Sequence, residues 1–145
     1  GGLPLLGVPL LEWRPAQGFP PVRALRRDLR DKLVPTLGRL SATERTGLAV
    51  IAAVSEEVFF RGVLQVEVGW ILAGVFFGAL HPLSLGYIGW ATGVGWYLGL
   101  LYQESGSLVA PILAHFLLDV GGLWWLRRFY LRQQYAPGGP GPMGD

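Results

Sequence analysis

Four long apolar runs, separated by short polar turns, occupy the middle of the chain. A helix needs roughly 20 mainly apolar residues to cross a bilayer, and the runs approach that length, although the second is short. The turns between them are too short to hold separate domains. The pattern therefore predicts four transmembrane helices, over about 43–66, 68–81, 85–102 and 108–126.

A different pattern precedes these runs. Val22, Leu25, Leu29 and Leu33 recur at helical spacing with basic residues between them, and Pro35 follows. This spacing predicts a basic amphipathic helix that ends at Pro35 and lies on the membrane surface. A solvated helix packed on a neighbouring subunit is the alternative.

Two local signals refine the helices. The string Ser41-Ala42-Thr43-Glu44 is a capping box, which predicts that the first long helix starts there. Small residues on the third helix predict a face that packs closely against a neighbour; its glycines are Gly89, Gly93, Gly95 and Gly99.

Charge is segregated along the chain. Of the 12 Lys and Arg residues, eight lie at or before Arg45 and three at or after Arg127, which leaves Arg61 alone between them. Multi-span membrane proteins place such charges in cytoplasmic flanks. We therefore expect an integral, multi-pass membrane protein with both termini in the cytoplasm, and an even number of helices agrees with that placement.

The amino-acid composition excludes several kinds of site. The chain has no cysteine, so disulfides, thiolate nucleophiles and Cys-type zinc sites are excluded. No basic stripe interleaved with aromatic residues indicates a nucleic-acid partner. The expected organisation is an N-terminal segment with the interfacial helix (1–42), a four-helix core (43–126) and a basic, Gly/Pro-rich C-terminal tail (127–145).

Polar residues inside the apolar runs carry the candidate chemistry. Glu57 and Arg61 lie four residues apart, so they share a helix face and predict an ion pair. Glu56 points about 100° away and has no such partner, which leaves its carboxylate available as a general base. His115 and Asp119 share a face of the last helix. Ionisable groups are costly within a bilayer, so this set indicates a functional site.

These residues resemble the motifs of the CAAX-protease and bacteriocin-processing family, also called the CPBP or Abi family of intramembrane proteases. Three motifs occur in the family order, each on its own predicted helix: Glu56-Glu57-xxx-Arg61, Phe77-xxx-His81 and His115-xxx-Asp119. The resemblance covers about 43–126 and implies an all-α membrane protein with a four-helix catalytic core.

The resemblance also implies roles. Glu56 and His81 are similar to the pair that activates water, His115 and Asp119 to the pair that stabilises the oxyanion, and Glu57 and Arg61 to a supporting pair. Eukaryotic prenyl-protein proteases of the family have asparagine where this chain has Asp119. An aspartate donates a hydrogen bond only when protonated, but it can orient His115 or bind a metal. A divalent metal such as Zn²⁺, held by Glu, His and Asp, is therefore left open, and orienting His115 is the preferred role of Asp119.

The sequence thus predicts a membrane endopeptidase that cleaves a peptide or protein substrate with a water molecule activated by Glu56 and His81. Two alternatives remain. One is a proton-coupled transporter or channel subunit that uses the same residues as a relay. The other is an inactive family member that acts as a membrane interaction or immunity protein.

Overall fold

The structure, a computed structural model, describes residues 20–135, and their regular structure is entirely helical. Helix α1 (Pro20–Asp28) continues through a π-helical segment (Leu29–Leu33) into the short α2 (Val34–Leu37). Helix α3 (Ala42–Phe59) continues through a second π-helical segment (Phe60–Leu64) into α4 (Gln65–Ala79). Helices α5 (Leu85–Ser105) and α6 (Val109–Gln134) complete the described chain.

Two helical runs, Ala42–Ala79 and Val109–Gln134, are long and apolar enough to cross a membrane. Only 28% and 33% of their apolar windows are buried inside the protein, whereas the core helix of a soluble protein is mostly buried. Large apolar side chains such as Ile51, Val66 and Leu113 are instead exposed. The first run contains the first two predicted spans. Helix α5 is not one of these two runs, because its glycines and aromatic residues lower its mean hydropathy.

The boundary between the first two predicted helices differs from the expected position near Glu67. The helical run continues from Ala42 to Ala79, and its backbone leaves helical geometry at Gly69, where φ is 80° and ψ is 164°. Only glycine adopts these angles readily, because a Cβ atom would clash there. The chain therefore changes direction at Gly69.

The amphipathic helix was predicted to end at Pro35. It instead continues to Leu37. Proline lacks the N–H that an α-helix interior requires, and it is tolerated in a first helical turn. The π-helical segment ends with a hydrogen bond from the N–H of Val34 to the carbonyl of Leu29. A new helical segment then begins with Pro35 in its first turn, where the missing N–H is tolerated. The apolar side of this region packs on α6 of the same chain.

One helix terminus matches its sequence signal closely, and another does not. Ser41 caps α3 as predicted: its hydroxyl accepts from the N–H of Glu44 at 3.2 Å, and the Glu44 carboxylate accepts from the N–H of Ser41 at 2.8 Å. Helix α6 runs to Gln134, past its predicted end at Leu126, so the start of the expected C-terminal tail is helical.

The helices pack in pairs, with α3 against α6 and α4 against α5, while α5 also contacts α6. One apolar cluster joins α2, α3 and α6 through Val34, Ala49 and Leu126, and a second joins the α3–α4 run to α5 through Phe60, Phe77 and Ala91. The ammonium group of Lys32 donates to the carbonyl of Leu83, which ties the amphipathic region to the α4–α5 turn. The polar site lies where these pairs meet.

The prediction of a close-packing face on α5 is confirmed for two of its four glycines. A Cβ at Gly95 would lie 3.0 Å from the backbone of Gly74 on α4, and one at Gly99 would lie 2.9 Å from the Gln65 amide oxygen. Among the described residues, nothing lies within 4 Å of a Cβ at Gly89 or Gly93, so the prediction was wrong for these two glycines. They lie on faces of α5 that the described neighbours do not cover.

Candidate active site

The fold brings the six candidate site residues together from four elements. Glu56 and Glu57 lie near the end of α3, and Arg61 lies in the following π-helical segment. His81 follows directly after α4, and His115 and Asp119 lie one turn apart in α6. π-Helical turns are often found at functional sites, and this one immediately follows the two glutamates.

Glu57 is the centre of a buried polar network. Its Oε1 accepts hydrogen bonds from a terminal nitrogen of Arg61 at 2.9 Å and from Nδ1 of His115 at 2.7 Å. The Glu57 side chain is 0% exposed and that of Arg61 2% exposed. The pairing of Glu57 with Arg61 has the predicted geometry, while the bond to His115 was not foreseen, because sequence spacing does not reveal contacts between helices.

Arg61 and Gln65 carry this network across to α5. A terminal nitrogen of Arg61 donates to the carbonyl of Gly95 at 2.8 Å, and the Gln65 amide donates to the carbonyl of Gly99 at 2.9 Å. The donors are one helical turn apart, and so are the acceptors. Gln65 was missed by the sequence analysis, although its position four residues after Arg61 on an apolar helix could have indicated it.

Phe77 separates and holds the two imidazole rings. It stacks on His81 with ring centroids 4.6 Å apart and meets His115 edge-on at 5.7 Å. The Arg61 guanidinium carbon lies 5.0 Å from its ring centroid, a cation–π distance. The sequence indicates Phe77 only as a motif member, and the structure shows that it fixes the spacing of the site.

Glu56 faces the two histidines and not Arg61. Its Oε2 lies 3.6 Å from Nε2 of His81 and 4.0 Å from Nε2 of His115. Within residues 20–135 this oxygen is buried and has no hydrogen-bond partner. A carboxylate oxygen at these distances can share a small ligand with both rings, since a water molecule commonly bridges polar groups more than 3.5 Å apart.

The hydrogen bonds made by Nδ1 define which nitrogen of each ring is available. The Nδ1 atom of His81 lies 2.6 Å from the carbonyl oxygen of Phe77, and a carbonyl can only accept, so this nitrogen carries the proton. Nδ1 of His115 likewise donates to the Glu57 carboxylate. Both rings therefore present Nε2 towards Glu56.

The ring-orienting hydrogen bond of His115 goes from Nδ1 to Glu57 and not to Asp119, the residue expected to orient it. The Asp119 carboxylate lies 3.6 Å from Nε2 of His115, beyond hydrogen-bond distance. Asp119 is therefore placed beside Nε2, while Glu57 holds Nδ1.

Exposure divides the site into a closed side and an open side. Glu57, Arg61 and His115 have side chains at most 6% exposed. The side chains of Glu56, His81 and Asp119 are 30%, 27% and 32% exposed. The Glu56 side chain and the His81 ring can therefore be reached from the open side, while Oε2 of Glu56 itself is covered.

The metal alternative was tested by the same geometry. Over the described range, 20–135, no group of three His, Asp or Glu side chains is arranged to hold a metal ion. Ligand atoms held at about 2.0–2.2 Å from one metal in a tetrahedron lie roughly 3.3–3.6 Å from one another. The separations that join Glu56, His81, His115 and Asp119, between 3.6 and 4.0 Å, are slightly longer than that and also suit a bridging water.

Comparison with known proteins places this geometry in a family. The chain is similar to the uncharacterized protein YpbD of Bacillus subtilis (strain 168), with 39% identity over 77 residues. That match covers 50% of this chain and 40% of the relative, so the chain spans less than half of the relative's length. No solved structure matches the chain.

The family model described as type II CAAX prenyl endopeptidase, Rce1-like, matches residues 40–121. This segment is more than half of the 145 residues and contains the site residues from Glu56 to Asp119. Together with two apolar helices long enough to cross a membrane, it indicates a membrane protein. The chain belongs to the Rce1-like family of type II CAAX prenyl endopeptidases.

Proposed function

We propose that this chain carries the catalytic site of an intramembrane endopeptidase of the CAAX prenyl protease type. One observation supports the proposal above the others: Oε2 of Glu56, which has no hydrogen-bond partner within residues 20–135, faces Nε2 of two histidines from other elements, at 3.6 and 4.0 Å. Amide hydrolysis requires a general base, a second group that binds water and a positively polarised ring, all within a small volume. A purely structural ion pair would instead be closed to solvent, as the pair of Glu57 with Arg61 is.

In the proposed reaction, a water molecule lies between Glu56 Oε2 and His81 Nε2. It donates one hydrogen bond to the carboxylate and the other to the ring nitrogen. As the water oxygen bonds to the carbonyl carbon of the substrate, Glu56 takes one of its protons. The carbonyl oxygen becomes an oxyanion in a tetrahedral intermediate.

His115 stabilises this intermediate in its doubly protonated form, with Nδ1–H on Glu57 and Nε2–H on the oxyanion. Collapse of the intermediate breaks the C–N bond, and Glu56 returns its proton to the departing amine nitrogen. Atoms and charge therefore balance with water as the only co-reactant. Asp119, beside Nε2 of His115, stabilises the charge on that ring.

The membrane arrangement is part of the proposal. Helices α3, α4, α5 and α6 are the four transmembrane helices, and the amphipathic region lies at the cytoplasmic surface with both termini. The packing of that region on the end of α6, and its contact with the α4–α5 turn, support a common side for these segments. The bond from Arg127 to the carbonyl of Gly38, at 3.0 Å, supports the same grouping. Reporter fusions at Gly2 and Gly138 should both report cytoplasm, and opposite sides would contradict four spans.

A peptidase assay tests the activity. The purified chain, in detergent and in bilayers, is incubated with a peptide library that contains prenylated and unmodified members, with and without a chelator. We expect cleavage that survives the chelator and disappears in Glu56→Gln. Cleavage that the chelator abolishes would contradict the mechanism, and proton flux across proteoliposomes without cleavage would contradict the proposed activity.

A further inference from the structure

A basic cleft lies between the amphipathic region and the C-terminal half of α6, apart from the residues of the active site. Its volume is about 330 Å³. Within residues 20–135, it is lined by four arginines and two aromatic residues: Arg23, Arg26, Arg27, Arg30, Trp125 and Phe129. No carboxylate is among these lining residues.

The four arginines are brought to one face by their spacing, since positions i, i+3, i+4 and i+7 lie together on a helix. Arg30 is neutralised by Asp31, with Nε and Oδ1 2.6 Å apart. Within the described chain, 20–135, the other three arginines form no ion pair within 4.0 Å. Guanidinium groups bind phosphate in bidentate fashion, so this concentration of charge matches a phosphate group.

The aromatic wall indicates where the rest of the ligand lies. Trp125 and Phe129 stack with ring centroids 5.6 Å apart. Gly122 and Leu118 lie on the same face of α6, about one and two turns before Trp125, and within residues 20–135 a Cβ at Gly122 would meet nothing within 4 Å. Among the described residues, a partly exposed apolar strip formed by Leu118, Gly122 and Phe129 therefore leads from the basic cleft towards the middle of α6, and an acyl chain can lie along it.

We propose that this cleft binds an anionic phospholipid, with its phosphate among Arg23, Arg26 and Arg27 and one acyl chain along the strip at Gly122. A basic amphipathic helix at a membrane surface attracts anionic headgroups. The strip distinguishes a lipid from a soluble phosphate, because a free anion makes no use of the apolar surface beside the arginines.

The test is native mass spectrometry of the purified, delipidated chain titrated with phosphatidylglycerol or with phosphatidylcholine of the same acyl chains. We expect phosphatidylglycerol to bind at least about tenfold more tightly, and the double variant Arg23→Gln/Arg27→Gln to lose roughly 10- to 30-fold of that affinity. The matched control is Arg128→Gln/Arg132→Gln, which removes the same charge from α6 outside the cleft and should change binding by less than about threefold.

A second variant keeps the test decisive if the arginine variant fails to fold. Gly122→Leu fills the strip without changing charge, and it should weaken phosphatidylglycerol binding. Glycerol 3-phosphate, the headgroup chemistry without acyl chains, should bind far more weakly than the lipid. Equal affinity for the two lipids, an equal loss in the control variant, or glycerol 3-phosphate binding as tight as the lipid would overturn the proposal.

Discussion

The closed and open sides of the active site contain neighbouring glutamates that have opposite surroundings. Glu57 is fully buried and accepts from Arg61 and His115 through one oxygen. Glu56 is 30% exposed and its Oε2 has no hydrogen-bond partner within residues 20–135. A rotation of about 100° per residue along α3 is enough to produce this difference.

The comparison teaches how a membrane protein can hold reactive groups among apolar helices. The closed side pairs Glu57 with Arg61 and His115 and reaches the backbone of α5 through Arg61, so it is fixed in place, although Oε2 of Glu57 and Nε of Arg61 have no hydrogen-bond partner within residues 20–135. On the open side, the Glu56 carboxylate faces two histidines and has no counter-charge like that of Arg61, and the proposed function assigns the reactivity to this carboxylate. We expect variants on the open side to change turnover and variants on the closed side to change stability as well.

The largest effect is expected for Glu56→Gln. Glutamine keeps the shape of the side chain but cannot take a proton from water, so turnover should fall roughly 10²- to 10⁴-fold. The melting temperature should stay close to that of the unchanged protein, because Oε2 of Glu56 accepts no hydrogen bond within residues 20–135 that the substitution could break. Activity within tenfold of the unchanged protein would remove Glu56 from the chemistry.

Glu57→Gln should affect both properties. It leaves the Arg61 charge buried without a counter-charge, and breaking a buried pair in this way costs about 3–5 kcal/mol. It also weakens the acceptor that orients His115, and the loss of such a positioning contact lowers activity roughly 10- to 100-fold. Melting temperature and turnover are measured together, and equal melting temperatures for Glu56→Gln and Glu57→Gln would contradict the division into two sides.

The double variant Glu57→Gln/Arg61→Gln is the control for that result. Removing both charges eliminates the uncompensated buried arginine, so part of the lost stability should return. Turnover should stay low, because His115 still lacks its anionic acceptor. Recovery of full activity would show that Glu57 acts on stability alone.

The sequence predicted the helical class, the capping box at Ser41 and the ion pair of Glu57 with Arg61, because each depends on residues a few positions apart. It did not predict that Glu57 holds His115, since this contact joins α3 to α6 over 58 positions. It also misplaced the helix break, because apolar pattern alone does not show which residue near Glu67 adopts a positive φ. Gly69 does so.

The glycines of α5 illustrate the same limit. A run of small residues predicts a packing face but not which of them face the neighbour. Gly95 lies against Gly74, and the Gly95 carbonyl is the acceptor of Arg61, so this position links the α4–α5 packing to the closed side of the site.

Gly95→Ala therefore tests whether the closed side depends on this close approach. The added methyl would lie 3.0 Å from backbone atoms of Gly74, which cannot move as a side chain can. Overpacking of this kind costs about 1–3 kcal/mol. Gly93→Ala is the matched control on the same helix, with nothing within 4 Å of the new methyl. The melting temperature should fall for Gly95→Ala only, and equal changes would show that the helix pair adjusts freely.

The smallest effect is expected for Asp119→Asn, on the open side. Glu57 still holds the ring of His115 through Nδ1, and Asp119 lies 3.6 Å from Nε2 with 32% of its side chain exposed. Partly exposed ion pairs contribute about 0.2–1 kcal/mol, so turnover should stay within roughly tenfold of the unchanged protein. Rates are measured on the same peptide as for Glu56→Gln, and bound Zn²⁺ is measured by elemental analysis. A loss of more than about 100-fold is the size expected when the support of a metal ligand is removed. Such a loss would show that Asp119 takes part in the chemistry, and it would favour the metal-dependent mechanism. A small loss with no change in metal content would leave Glu56 as the one carboxylate of the open side on which turnover depends.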